Sequence, residues 1–105
     1  MATYFEIKLG NEPLQIINFS FYDNKIRLRV YFNEIAQNWF ADISEPTRDE
    51  IIVKGLPLVC GVDLLDRSTT PYFFRVADNS ANGLDPSQID DWLRRCSLLI
   101  ALKEV

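Results

Sequence analysis

Period-two alternation is the dominant pattern along this chain. In KIRLRVYFN, Ile26, Leu28, Val30 and Phe32 fall on one side, and Lys25, Arg27, Arg29 and Tyr31 on the other. An apolar face opposed to a polar one at that period predicts a half-buried strand. Thr3–Leu9 repeats the pattern, with Phe5, Ile7 and Leu9 against Tyr4, Glu6 and Lys8. Leu14–Tyr22 is a further strand, and Asp23-Asn24 supplies turn chemistry before Lys25–Asn33, so the two runs predict a hairpin. Asn38–Ser44 alternates Trp39, Ala41 and Ile43 with Phe40 and Asp42.

Other segments break the alternation. Glu45–Glu50 is an acidic turn in which Pro46 removes a donor and fixes φ. The apolar run Ile51–Leu65 that follows contains Gly55, Pro57 and Gly61. A central strand tolerates glycine and proline poorly, so a bulge, a bend or a sheet edge is expected there. Tyr72–Ala77 reads as a short aromatic strand, and Asp78–Gln88 as the longest loop. Asp85 is a candidate N-cap with Pro86 at the first helical position. Ile89, Trp92, Leu93 and Cys96 have helical spacing, which predicts a helix over Pro86–Leu93 and a strand over Cys96–Lys103. One helix from Pro86 to Lys103 is the alternative. The tally of about seven strands and one short helix near the C-terminus predicts an all-β fold, a small antiparallel barrel or sandwich.

A length of 105 residues suits one domain, 1–105. Hydrophobic residues make up 48% of it, enough for a core, although a domain this small buries a modest share of its surface. A core completed by neighbouring subunits is therefore an option. The net charge of -4 and the scattering of Lys and Arg disfavour nucleic acid as the main partner. No apolar run reaches the roughly 18 residues of a membrane span, and MATYFEIKLG has no basic region followed by an apolar stretch, so neither membrane nor export is expected. Cys60 and Cys96, each beside apolar residues, are expected to be buried free thiols.

Candidate chemistry is thin. With no histidine, Ser-His-Asp and Cys-His catalysis and the common Cys/His zinc sites are excluded within the chain. The chain has only 4 glycines and no phosphate-cradling glycine loop. Asp63 with Asp66, and Asp90 with Asp91, are the acid pairs available for acid–base work, but nothing sets their separation. Asp78, Asn79, Asn82 and Asp85 have oxygen ligands suited to calcium without the spacing or closing glutamate of an EF-hand. No catalytic residue, cofactor, metal or small-molecule substrate is therefore assigned. Arg27, Arg29 and Tyr31 share a strand face that could contact a partner. Adjacent Phe73 and Phe74 must point to opposite faces of a strand, which makes an outward ring a candidate interface anchor. A small barrel binding single-stranded nucleic acid or an oligosaccharide through the arginine face is the alternative function.

The order of motifs also resembles a known family. N-W-F-A-D-I is followed by an acidic turn and then by Gly55-Leu56-Pro57-Leu58-Val59 with Gly61, Asp63, Leu64 and Leu65. After an aromatic strand come Gly83-Leu84-Asp85-Pro86 and Asp90-Asp91, then an apolar terminal strand. From about Lys25 to Leu102 this is similar to the small baseplate plug proteins of contractile-tailed bacteriophages and related prophages. Trp39, Gly55, Pro57, Gly61, Asp63, Gly83, Asp85, Pro86 and Asp90 carry the resemblance as structural positions. The turn Glu45–Asp49 departs from the glycine-containing turn of such proteins. The resemblance implies a non-enzymatic virion protein at the tail axis that helps join or close hub, spike and tail tube. It also implies multimeric assembly with those tail proteins in the host bacterial cytoplasm.

Overall fold

A computed structural model describes residues 3–103. Among the described residues, seven strands form two antiparallel sheets. The three-stranded sheet has the order β1 (Phe5–Ile7), β7 (Cys96–Leu102), β6 (Tyr72–Asp78). The four-stranded sheet runs β2 (Leu14–Phe21), β3 (Asn24–Asn33), β4 (Asn38–Glu45), β5 (Glu50–Pro57). The fold is a sandwich rather than a closed barrel.

The alternation in sequence is the alternation in space. Ile26, Leu28 and Val30 on β3 and Trp39, Ala41 and Ile43 on β4 are buried and face Phe74, Val76, Leu98 and Ile100 of the other sheet in one core. The β2–β3 hairpin turns one position earlier than Asp23-Asn24. Phe21 pairs with Asn24, and Tyr22 and Asp23 both have positive φ, as a two-residue primed turn requires. Asn24 completes the turn by donating to the carbonyls of Phe21 and Tyr22.

The run Ile51–Leu65 divides at Pro57. Before it, β5 is the edge strand against β4 and carries two register shifts. At the first, Lys54 and Gly55 oppose Asp42 alone, and Gly55 takes φ +68, which a side chain would strain. Beyond Pro57 the chain is not a continued strand. Leu58 N–H still bonds Trp39 O at 2.9 Å, and then the chain crosses to the other sheet. There Gly61, at φ +76, donates to Val76 O, and Leu64 and Phe74 exchange N–H···O bonds of 2.7 and 2.9 Å. This strap, Leu58–Leu65, closes one side of the sandwich. On the opposite side β1 and β2 face each other without main-chain pairing, and Phe5, Phe19, Phe21 and Tyr22 line a groove between them.

The helix is shorter and later than Pro86–Leu93. It is α1, Asp91–Arg94, and after Arg95 the chain enters strand β7, so the single helix to Lys103 does not form. Asp85 is not its N-cap: the flanking residue is Asp90, which makes no side-chain capping bond. Pro86 is instead a buried wedge under the loop. Among the described residues, no helix is long and apolar enough to cross a membrane.

Candidate assembly surface

The two blocks that carry the resemblance, far apart in sequence, meet in the fold. Asp85 accepts the Cys60 N–H at 2.8 Å, tying the Asp78–Asp90 loop to the strap. Trp39, with no exposed surface, donates from Nε1 to Gln88 O at 3.0 Å and packs its ring on Phe32 and Trp92. Gly83 has φ +66, which turns the chain so that Leu84 N–H reaches Asp78. Asp63 pairs with Arg75 on the neighbouring strand β6, and Asp90 with Arg94 at 3.8 Å. These positions organise backbone and loop.

The organiser of the loop is Arg95, which pattern reading passed over. Its guanidinium donates to Leu84 O, Asp85 O and Asp91 Oδ2, and lies 3.4 Å from Asp78 Oδ2. The Asp78 and Asp91 side chains are almost wholly buried. Asp91 also accepts the Ser87 and Gln88 N–H groups. The Ser80 hydroxyl, the Leu84 amide and Arg95 hold the Asp78 carboxyl well below the usual carboxylate range. The i, i+4 spacing of Asp91 and Arg95 was the available signal in sequence. Asp78 and Asp85 are both engaged by protein donors. Among the described residues no cluster of three or more His, Cys, Asp or Glu side chains is placed to hold a metal ion.

The Arg27, Arg29 and Tyr31 face is the outer face of the four-stranded sheet, as the alternation predicts. Its cationic groups are largely engaged. Arg29 pairs with Asp42 at 3.0 Å and lies over the Tyr31 ring at 4.8 Å, while Arg27 donates to Asn18. Asp42 also accepts from Tyr31 and from Gly55 N–H. Partial burial raises its pKa, but the bonds from Gly55, Arg29 and Tyr31 outweigh that and lower it. Phe73 and Phe74 are both buried, at 8% and 1% exposed. They do point to opposite faces. Phe74 enters the core, and Phe73 is covered on the outer face by the edge of the Tyr4 ring at 5.9 Å.

The thiols differ from each other. Cys96 is buried, and burial pushes its pKa up to about 11, whereas Cys60 is half-exposed on the strap. Alkylation in mildly alkaline buffer is expected to modify Cys60 in the folded protein and Cys96 only after denaturant is added. Peptide mass mapping reads the order, and equal rates at both thiols would contradict it.

The fold is a two-layer β-sandwich, and the polar clusters around Arg95 and Asp42 brace its loops and strands. Residues 4–101 match the family model of the cyanophage baseplate Pam3 plug gp18, and the chain belongs to that family. No curated protein matches the chain. Membership places it among the structural proteins of the phage tail baseplate, which act in contact with other baseplate and tail proteins.

Proposed function

We propose that this protein is a non-enzymatic plug at the distal end of a contractile tail. It joins or closes the tail tube, hub and spike until contraction, and it assembles with them as a multimer in the host bacterial cytoplasm. The observation that carries the reading is the family match over residues 4–101. The use of Asp42, Asp78 and Asp91, each of which serves several protein donors, as braces of strand and loop supports it. On the arginine face Asp42 neutralises Arg29, which leaves Lys25 and Arg27 as its cations without an acidic partner among the described residues, a small charge for a phosphate backbone in a chain of net charge -4.

The test is deletion of the gene in its phage or prophage, with electron microscopy of the particles. Capsids are expected to form normally, while tails lack a closed distal end or do not complete. Co-expression with each neighbouring tail gene is expected to yield a complex with hub, spike or tube protein. Complete, infectious tails made without the protein would overturn the reading.

A further inference from the structure

The two sheets have four outer edges, and three are guarded. The edge of β6 is covered by the strap through Gly61 and Leu64. The edge of β5 is broken by two register shifts and carries Gly55, Pro57 and the charged Glu50 and Lys54. β1 is three residues long. The fourth edge, that of β2, has none of the devices that prevent strand-to-strand association. β2 runs for eight residues in unbroken register with β3, and LQIINFSF contains no charge, proline or glycine.

Its main chain is aimed outward in a regular way. Phe32 N–H bonds Pro13 O at 2.9 Å, which continues the β2–β3 register. Antiparallel ladders alternate, so the odd positions of β2 turn their main chain toward β3 and the even positions turn theirs away. Leu14, Ile16, Asn18 and Ser20 thus present N–H and C=O to the free edge. Ile16 is 56% exposed and Leu14 46%.

We infer that the β2 edge pairs antiparallel with the β2 edge of a second copy of this chain about a two-fold axis at Ile17. Opposed residues in a sheet share a face, so even positions must meet even positions. Pairing about Ile17 does this: Leu14 meets Ser20 of the second copy, Ile16 meets Asn18, and the same pairs recur on the other side of the axis. These are the positions with unpaired main chain. On the inner face Ile17 meets Ile17, and Gln15 meets Phe19. The edge is self-complementary, as a two-fold interface requires. Because β2 is uncharged, no like-charge pair crosses the junction despite the chain's net charge of -4. The second copy also covers the end of the open groove, where Phe5 and Tyr22 are 42% and 59% exposed. The inference does not depend on the baseplate reading.

Sedimentation velocity on the purified full chain is expected to give a mass twice 12.2 kDa. Ile16→Lys and Ile16→Glu place a charge of either sign on the outer side of the edge, away from the core. Both are expected to keep the far-ultraviolet circular dichroism of the parent and to weaken dimerisation by at least roughly tenfold. In a Cys60→Ala background, Ile17→Cys is expected to form a dimeric disulfide on mild oxidation, since an antiparallel pair without hydrogen bonds brings Cα atoms to about 4.5 Å, within disulfide range. A monomeric parent at every concentration overturns the inference, and would leave the edge to a strand of another protein. A dimer that persists in both folded Ile16 variants, or that fails to cross-link through residue 17, overturns it as well.

Discussion

Arg95→Ala is expected to cost about 3 kcal/mol of folding free energy, a large part of the 5–15 kcal/mol that roughly spans small domains. The substitution leaves the Asp78 and Asp91 carboxylates buried without their cation, and the Leu84 and Asp85 carbonyls without their donor. Urea denaturation followed by tryptophan fluorescence measures it, and Trp92 sits in the helix that Arg95 anchors. Arg95→Lys should recover only part of the loss, because an ammonium lacks the planar fork that reaches several acceptors together. The deficit is also expected to depend on pH. Asp78 has a depressed folded pKa, so its contribution is complete above the unfolded carboxylate value near about 4 and fades as pH falls below that. The gap between parent and Arg95→Ala should therefore narrow in strongly acidic solution without closing, because the Leu84 and Asp85 carbonyls lose their donor at every pH. A deficit that is constant across that range would show that Arg95 acts through the loop carbonyls and packing and not through the Asp78 carboxylate.

Trp39→Ala is expected to cost about 4 kcal/mol, as removal of a fully buried aromatic side chain does. The ring fills the space between Phe32 and Trp92, so the cavity would open between the four-stranded sheet and α1. The loss also leaves Gln88 O without its donor at 3.0 Å. Trp39→Phe separates the two effects. It retains most of the apolar contact and loses the hydrogen bond, for which about 1–2 kcal/mol is expected. Chemical denaturation of the three proteins gives the comparison. Equal destabilisation by phenylalanine and alanine would assign the whole effect to the Gln88 bond.

Strands were legible in this sequence where one face is wet and the other buried. The regular β3 pattern Ile26, Leu28, Val30 and the Trp39, Ala41, Ile43 pattern of β4 each have such a face, and both strands emerged at nearly their expected limits. The signal failed where tertiary contacts override local chemistry. Asp85-Pro86 has the form of a helix start, but the Asp85 carboxylate is captured by Cys60 N–H from a segment 25 residues away. Local reading cannot see such a partner. For the same reason the break expected within Ile51–Leu65 has no legible place in the sequence: the strand ends at Pro57 and Leu58–Leu65 crosses between sheets, and crossing has no period. Phe73 sits on the outward face as alternation requires, but Tyr4 covers it, which only the pairing of β1 with β7 makes possible. Arg95 was missed because one cation serving four acceptors leaves no pattern beyond its spacing from Asp91.

The order of strands in the three-stranded sheet has a kinetic consequence. Its central member, β7, follows all the other described strands in chain order, and both β1 and β6 depend on it: Phe5 and Phe74 each pair with Ile100. The β2–β5 meander consists of neighbours in sequence and can form early. Until β7 emerges, that sheet holds Ile26, Leu28, Val30, Trp39, Ala41 and Ile43 with no second layer against them. Topologies closed by such distant pairings fold slowly, in roughly milliseconds to seconds. Before β7 docks, the chain thus presents an apolar face and an unguarded edge together, the two features that make a folding intermediate prone to associate.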